Sequence, residues 1–440
     1  MAGQGNSMID LPDFRPLKIT QSQDSAGRKQ LDSLDHLIAV VPKKRTKSAF
    51  RGLPKPALLE RLSIQATKSG NSLVTTHIEN RRATAITVAT FAAKDSFQTL
   101  TWARKLIAES ARLGAGKVGV ITSGLTSDDR DQAVSALIRA ADALAFDLPS
   151  YKNKKAKKTG TLKSLKLFNA KPRLPVEAMR RGTLGNNIAR WLTAQPPNKL
   201  TAQTYRTAAQ AFAKQHGMKY EFLDQSKLKR RGAGAFLAVS QGNADETAGI
   251  VRLSYRPRRN SKLSLALVGK GILFDTGGTN LKPFKGMLDM HMDMQGSAVA
   301  LGTAVELAAS SAPFAFDVWL AITENRISAT AYKSQDIVVA SNGVSIQVIH
   351  TDAEGRMVLA DTLALAAEAK PDLIIDYATL TGTCVSALTT RYSGVFSNRS
   401  GAARSLLGAG MQSGERVWPF PLDDDFDDPL KSDIADVKQC

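Results

Sequence analysis

Apolar residues recur along this chain in two rhythms. Short runs rich in Val, Ile and Thr, at His36–Val41, Ala83–Phe91 and Lys117–Thr122, read as strands. Between the last two, Leu100, Ala103, Leu106, Ile107 and Ala111 fall near helical spacing and predict a helix over Thr99–Leu113. A second helix is predicted over Asp129–Leu144, with Ser127 and Asp128 as cap candidates. Asn198–Thr201 caps a further helix running to about His216. The later chain alternates more strongly. Leu263–Gly269, Phe316–Thr323 and Asp372–Thr379 read as strands, and Ser297–Ser310 and Gly355–Ala369 as Ala/Leu-rich helices. The class is therefore α/β: a small N-terminal α/β domain followed by a larger one with a mixed central sheet flanked by helices. The expected division is a poorly ordered segment 1–30, an N-terminal domain 31–168 carrying a basic linker at 151–168, and a second domain 169–440.

Composition narrows the class. The chain has 440 residues, 43% hydrophobic and 22% charged, enough for two sizeable cores. No apolar run approaches the ~18 residues a membrane span needs. The start has no basic region followed by an apolar stretch, so no signal peptide is expected. Two cysteines, Cys384 and Cys440, cannot build a disulfide framework, and a reducing cytosol fits best. The net charge of +19 is uneven: residues 1–170 hold 28 Lys+Arg against 14 Asp+Glu. Contact with nucleic acid or an acidic surface would account for that excess, and so would a merely solubilising surface.

The chemistry concentrates in two stretches. One runs from Val268 through Lys270, Asp275 and Lys282 to Asp293; the other is His350-Thr-Asp352-Ala-Glu354-Gly-Arg356. Asp275, Asp293, Asp352 and Glu354 lie near small residues and glycines, next to predicted strands and helices. Carboxylates are the usual hard ligands of divalent metals, and a pair of ions needs several of them. No His-Glu-x-x-His pattern and no Gly-x-Ser-x-Gly elbow occurs, and the five histidines are scattered. From the residues alone, a carboxylate metal site and a set of helix caps and turn acids both remain open.

The same stretches resemble the leucyl aminopeptidase family of metallopeptidases, also called cytosol aminopeptidases. The family's Asn-Thr-Asp-Ala-Glu-Gly-Arg-Leu stands here as His350-Thr-Asp-Ala-Glu-Gly-Arg-Met357. The resemblance extends through Pro196–Asn198, Gly234–Gly242, Glu324-Asn325, Asp376–Gly382, Gly414–Trp418 and Pro421-Leu422, and so over nearly all of 170–440. It implies that 169–440 is a catalytic domain holding two divalent metal ions, zinc or manganese. One would be bound by Lys270, Asp275, Asp293 and Glu354, the other by Asp275, Asp352 and Glu354. It implies a metal-activated water attacking the peptide carbonyl, Lys282 stabilising the oxyanion, and Arg356 holding a bicarbonate that serves as base. It implies that Met290, Thr379, Leu380 and Gly382 contact a peptide substrate, that the chain forms a homo-hexamer, and that it works in the cytoplasm away from membranes.

His350 departs from the family's Asn, His291 from a common Lys or Arg, and Gln295-Gly-Ser297 from Gly-Gly-Ala, but no expected ligand is lost. Family members continue past the region of Asp436, so the C-terminal end is expected to be incomplete. Two alternatives accompany the enzyme reading. Some bacterial members of the family bind DNA, which the basic N-terminal half would suit. An inactive truncated scaffold is the other.

Overall fold

The computed structural model describes residues 11–44, 49–68, 73–92, 94–153, 162–258, 263–399 and 401–440. Contacts divide them into two compact units. The first is Arg15–Thr183 together with Thr383–Pro421. The second is Leu184–Gly382 and Leu422–Cys440, with the described residues up to Phe14.

The first unit is built on strands β1 (Lys18–Gln21), β2 (His36–Pro42), β3 (Leu73–His77), β4 (Ala85–Phe91), β5 (Lys117–Thr122) and β6 (Ser164–Phe168). They lie in the order β1-β6-β5-β2-β4-β3, parallel except for β3. Its helices include α1 (Pro56–Lys68), α2 (Ser96–Arg112) and α3 (Ser127–Ala145). Central β2 alternates between two cores. Ile38 and Val40 join Leu106, Ile107 and Leu137 of α2 and α3, while Leu37, Ala39 and Val41 join Leu59 of α1. That is the period of two expected of a strand buried on both faces. Thr126, rather than Ser127 or Asp128, caps α3: it has the extended backbone of a cap, and its hydroxyl accepts from the Asp129 N–H at 3.1 Å. Lys154, Lys155, Lys157 and Lys158 of the expected linker lie outside the described residues. Lys18–Gln21, within the leading 1–30 segment, is an edge strand.

The second unit has a mixed sheet of β7 (Lys219–Asp224), β8 (Gly249–Tyr255), β9 (Ser264–Asp275) and β10 (Ala315–Asn325), a small pair β11 (Ile337–Val339) and β12 (Ser345–Gln347), and β13 (Leu373–Tyr377). The main order is β13-β9-β10-β8-β7. β13, β9 and β10 run parallel, and β8 is antiparallel to both neighbours. Helices α4 (Ala202–Gln215), α5 (Gly234–Ser240), α6 (Gln295–Ala309) and α7 (Glu354–Ala367) accompany it. The mixed α/β architecture is the one the alternation predicts.

β9 extends well past the expected end at Gly269, because pairing with β10 continues to the Asp275–Asn325 register. Ala266, Val268 and Ile272 face a core shared with Met357 and Val358 of α7. Lys270 is in step with them. The intervening Gly269 lets α6 approach, since a Cβ there would come within 2.4 Å of the Ser297 Cα. The later β14 (Ser393–Val395), α8 (Ala402–Ser413) and β15 (Val417–Pro419) group with the first unit, whereas the sequence places 169–440 in one domain. Finally, β16 (Val437–Lys438) pairs in parallel with β12.

Candidate metal centre

Three parallel strands end together, and open α/β sheets place ligands at such carboxyl ends. Asp275 is the last residue of β9, Asn325 is its partner at the end of β10, and Thr379 follows β13. The turn that delivers Asp293 leads directly into α6, and Glu354 is the first residue of α7. A carboxylate in the first turn of a helix meets unpaired N–H groups and the positive end of the helix dipole.

Asp275, Asp293 and Glu354 offer carboxylate oxygens that all lie within 4.8 Å of one another, and all three side chains are buried. Lys270, itself buried, places Nζ 2.8 Å from Asp293 Oδ2 and 2.8 Å from Glu354 Oε1. It also donates to the Thr379 carbonyl at 2.9 Å. Lys282, nearer the surface, pairs with Asp275 Oδ2 at 2.8 Å and with Asp352. All five residues expected to ligate metal are thus drawn together with Lys282.

The electrostatics show what such crowding costs. Burial, with Asp275 and Asp293 nearby, lifts the Glu354 carboxyl to about 8 despite Lys270. Burial likewise lifts Asp293 to about 6. Burial alone would lower the Lys270 ammonium, but Glu354 and Asp293 outweigh it and hold it above the ordinary lysine value. Lys282 is raised too: burial opposes its charge, and hydrogen bonds and attraction from Asp275 and Asp352 prevail. With four carboxylates against two ammonium groups, the cluster is electron-rich in hard oxygen donors, a set suited to divalent cations.

Several supports were not singled out by the sequence reading. Asn325 donates from Nδ2 to Asp275 Oδ1 at 2.8 Å and to the Thr351 carbonyl at 3.0 Å. Its signal in the sequence was only the Glu324-Asn325 pair. Thr351 is wholly buried; its hydroxyl donates to the Gly277 carbonyl at 2.6 Å, tying the loop after β9 to the one before α7. His350, already noted as standing where the family has Asn, caps the short turn before α7, its Nδ1 accepting from the Asp352 N–H at 3.2 Å.

Of the remaining candidates, Thr379 touches the cluster directly, donating to Asp293 Oδ1 at 2.6 Å. Met290 opens the short turn before Asp293. Leu380 and Gly382 are exposed beyond β13, and a Cβ on Gly355 would come within 2.9 Å of Leu380 Cδ1. Arg356 lies in the first turn of α7, half-buried, with Nη1 donating to the Gln439 carbonyl at 3.2 Å. Apart from these, the chain has a cavity of about 370 Å³ lined by Arg104, Arg391, Arg416 and Phe97 in the first unit. None of the candidate residues lines it.

Residues 187–440 match the family model for the catalytic domain of the cytosol aminopeptidase family. A probable cytosol aminopeptidase of Parasynechococcus marenigrum is 37% identical over 344 residues, 76% of this chain and 70% of that protein. Another, from Synechococcus sp., is 43% identical over 257 residues, 58% of this chain and 52% of that protein. The chain thus spans about half the length of relatives it matches at that level. Among solved structures, a mutant of tomato leucine aminopeptidase superposes with a TM-score of 0.84 at 26% identity, covering 98% of this chain and 87% of that one.

Proposed function

The chain belongs to the cytosol aminopeptidase family, and from that premise we propose that it is a metal-dependent aminopeptidase releasing N-terminal residues from peptides. The observation that carries this reading is the convergence of Asp275, Asp293 and Glu354 within 4.8 Å of one another, with Lys270 paired to the latter two, at the ends of three parallel strands.

In this reading Lys270, Asp275, Asp293 and Glu354 would hold one divalent ion, and Asp275, Asp352 and Glu354 would hold a second. Zinc and manganese both suit the donors. When bound, such a pair polarises a carbonyl and lowers the pKa of water. Between Glu354 and Asp293 Lys270 keeps its proton, which it would have to give up to serve as a metal ligand. Lys282 stays charged and partly open to solvent, the state in which it donates to a developing oxyanion. A substrate's free α-amine, in its neutral form, would be a further donor to such ions. Arg356 holds an anion such as bicarbonate in reach of the cleft. Thr379, Leu380, Gly382 and Met290 border the place where the first side chain rests. A homo-hexamer in the cytoplasm completes the proposal. Among the described residues no helix is long and apolar enough to cross a membrane.

The test is hydrolysis of leucyl anilide by chelator-stripped protein before and after manganese or zinc is restored. Activity should return with metal and vanish when the substrate amine is acetylated. Equal cleavage of the acetylated substrate would remove the exopeptidase assignment.

A further inference from the structure

Gln439 lies far along the chain from every residue assigned above, yet it is 5% exposed and seated against the Asp352 loop. Its main chain is anchored twice: the N–H donates to the Gln347 carbonyl at 2.9 Å, and the carbonyl accepts from Arg356 Nη1 at 3.2 Å. The preceding residues are held as well. β16 pairs with β12, and the Asp436 carboxylate accepts from the Ser345 N–H at 2.8 Å and from its hydroxyl at 2.6 Å. The side chain is therefore presented by a fixed backbone.

That side chain spans the loop. Oε1 accepts from the N–H groups of Ile349 at 3.1 Å and His350 at 3.0 Å. Nε2 donates to the Ala353 carbonyl at 3.0 Å. One amide thus closes a bracket around residues 349–353, with Asp352 inside it. A primary amide of this length offers the acceptor for the segment entering the loop and the donor for the turn leaving it at once. The Tyr332 hydroxyl, which also hydrogen-bonds the Gln439 side chain, donates to the Thr351 carbonyl at 2.8 Å, so the backbone before Asp352 is held at one further point.

We propose that Gln439 is a positioning residue for the metal centre: its amide sets the backbone that aims the Asp352 carboxylate and, through its own carbonyl, the Arg356 guanidinium. This rests on the metallopeptidase reading. Groups that orient a ligand typically change metal affinity ten- to hundredfold when lost. The loss here should be selective. Asp352 belongs to one of the two proposed ion sites, whereas Lys270 and Asp293, which belong to the other, make no contact with Gln439.

The experiment is calorimetric titration of manganese alone into the chelator-stripped full chain, for the natural sequence and for Gln439→Met, which keeps volume but neither donates nor accepts at these distances. The natural chain should take up two ions. Q439M should keep one affinity and lose ten- to hundredfold on the other, with its far-ultraviolet circular dichroism unchanged. Gln439→Asn retains the amide on a shorter stem and reaches only one side of the bracket; it should weaken the same ion by less, and it replaces Q439M if that variant does not fold. Two unchanged affinities overturn the proposal, and so does an equal loss at both sites, which marks a merely structural residue. A natural chain that takes up no divalent ion overturns the metallopeptidase reading and this proposal together.

Discussion

His36 begins β2 with no exposed surface, its Nδ1 2.8 Å from the Ser110 hydroxyl and its Nε2 2.8 Å from that of Thr87. Burial lowers its pKa to about 4, against an ordinary value of 6.5. The unfolded chain therefore binds a proton first as pH falls, and stability contributed by the neutral ring is whole above pH 6.5 and lost toward pH 4. The full span corresponds to about 3 kcal/mol. Urea unfolding between pH 7 and 4.5 should show a loss of that order, and the His36→Asn variant should show a smaller one; matching slopes would clear His36 of the effect. Lys282 is a residue whose role divides differently. Replacing it with Ala frees Asp275 and Asp352 from their ammonium partner without removing a carboxylate. Metal content should persist while kcat falls roughly a hundredfold, as when an oxyanion donor is removed. Metal analysis beside steady-state kinetics separates the two, and an unchanged kcat would take Lys282 out of the mechanism. The carboxylates and both lysines were singled out in the sequence because the two stretches that carry them, 268–293 and 350–356, resemble a motif-bearing family. Asn325, Tyr332 and Gln439 were not: Tyr332 and Gln439 act through the backbone of a loop distant in sequence, and Asn325 reaches both that backbone and the Asp275 carboxylate from the end of a neighbouring strand.

Elements meet at this centre through glycine. A Cβ on Gly355, in the first turn of α7, would lie 2.7 Å from Lys270 Cε and 2.8 Å from its Nζ. Gly355→Ala should push Lys270 off Asp293 and Glu354 and cost about 1–3 kcal/mol, the usual range for overpacking a tight site. Gly408→Ala is the control: nothing lies within 4 Å of its would-be Cβ inside α8, so helix propensity should make it neutral to stabilising by up to about 1 kcal/mol. Thermal melts of both variants check the contrast. α2 and α3, by their periodicity, and α6 and α7, by their Ala/Leu-rich composition, were legible to within a few residues. β1, β3, β6, β7 and β8 were missed: β1, β3 and β7 are edge strands, and β7 and β6 carry lysines that read as surface or linker. β9 was cut short because Gly269 and Gly271 look like a strand's end, whereas here they make room for α6 and β10.

At the scale of the whole molecule, the two-unit α/β plan followed from alternation, but the membership of Thr383–Pro421 did not. That segment joins the first unit through packing of α8 near α2, where a Cβ on Gly414 would meet Leu100 Cδ1 at 2.8 Å. Sequence proximity to the motif-bearing stretch gave no hint of such a long-range pairing.

The assembly of the centre from β9, the turn before α6 and the start of α7 also has a kinetic meaning. No two neighbouring residues can make the cluster, so it exists only after β9, β10 and β13 have paired across long stretches of chain. Contacts that form late leave folding speed alone and act on the rate of escape from the native state. Manganese at about a hundred times its dissociation constant stabilises by about 2.7 kcal/mol, which is roughly a hundredfold in that escape rate. Stopped-flow traces should show refolding at the same speed with and without the ion, and unfolding slowed by about that factor. The bound ion then works as a latch: it does nothing to close the door and a great deal to keep it shut.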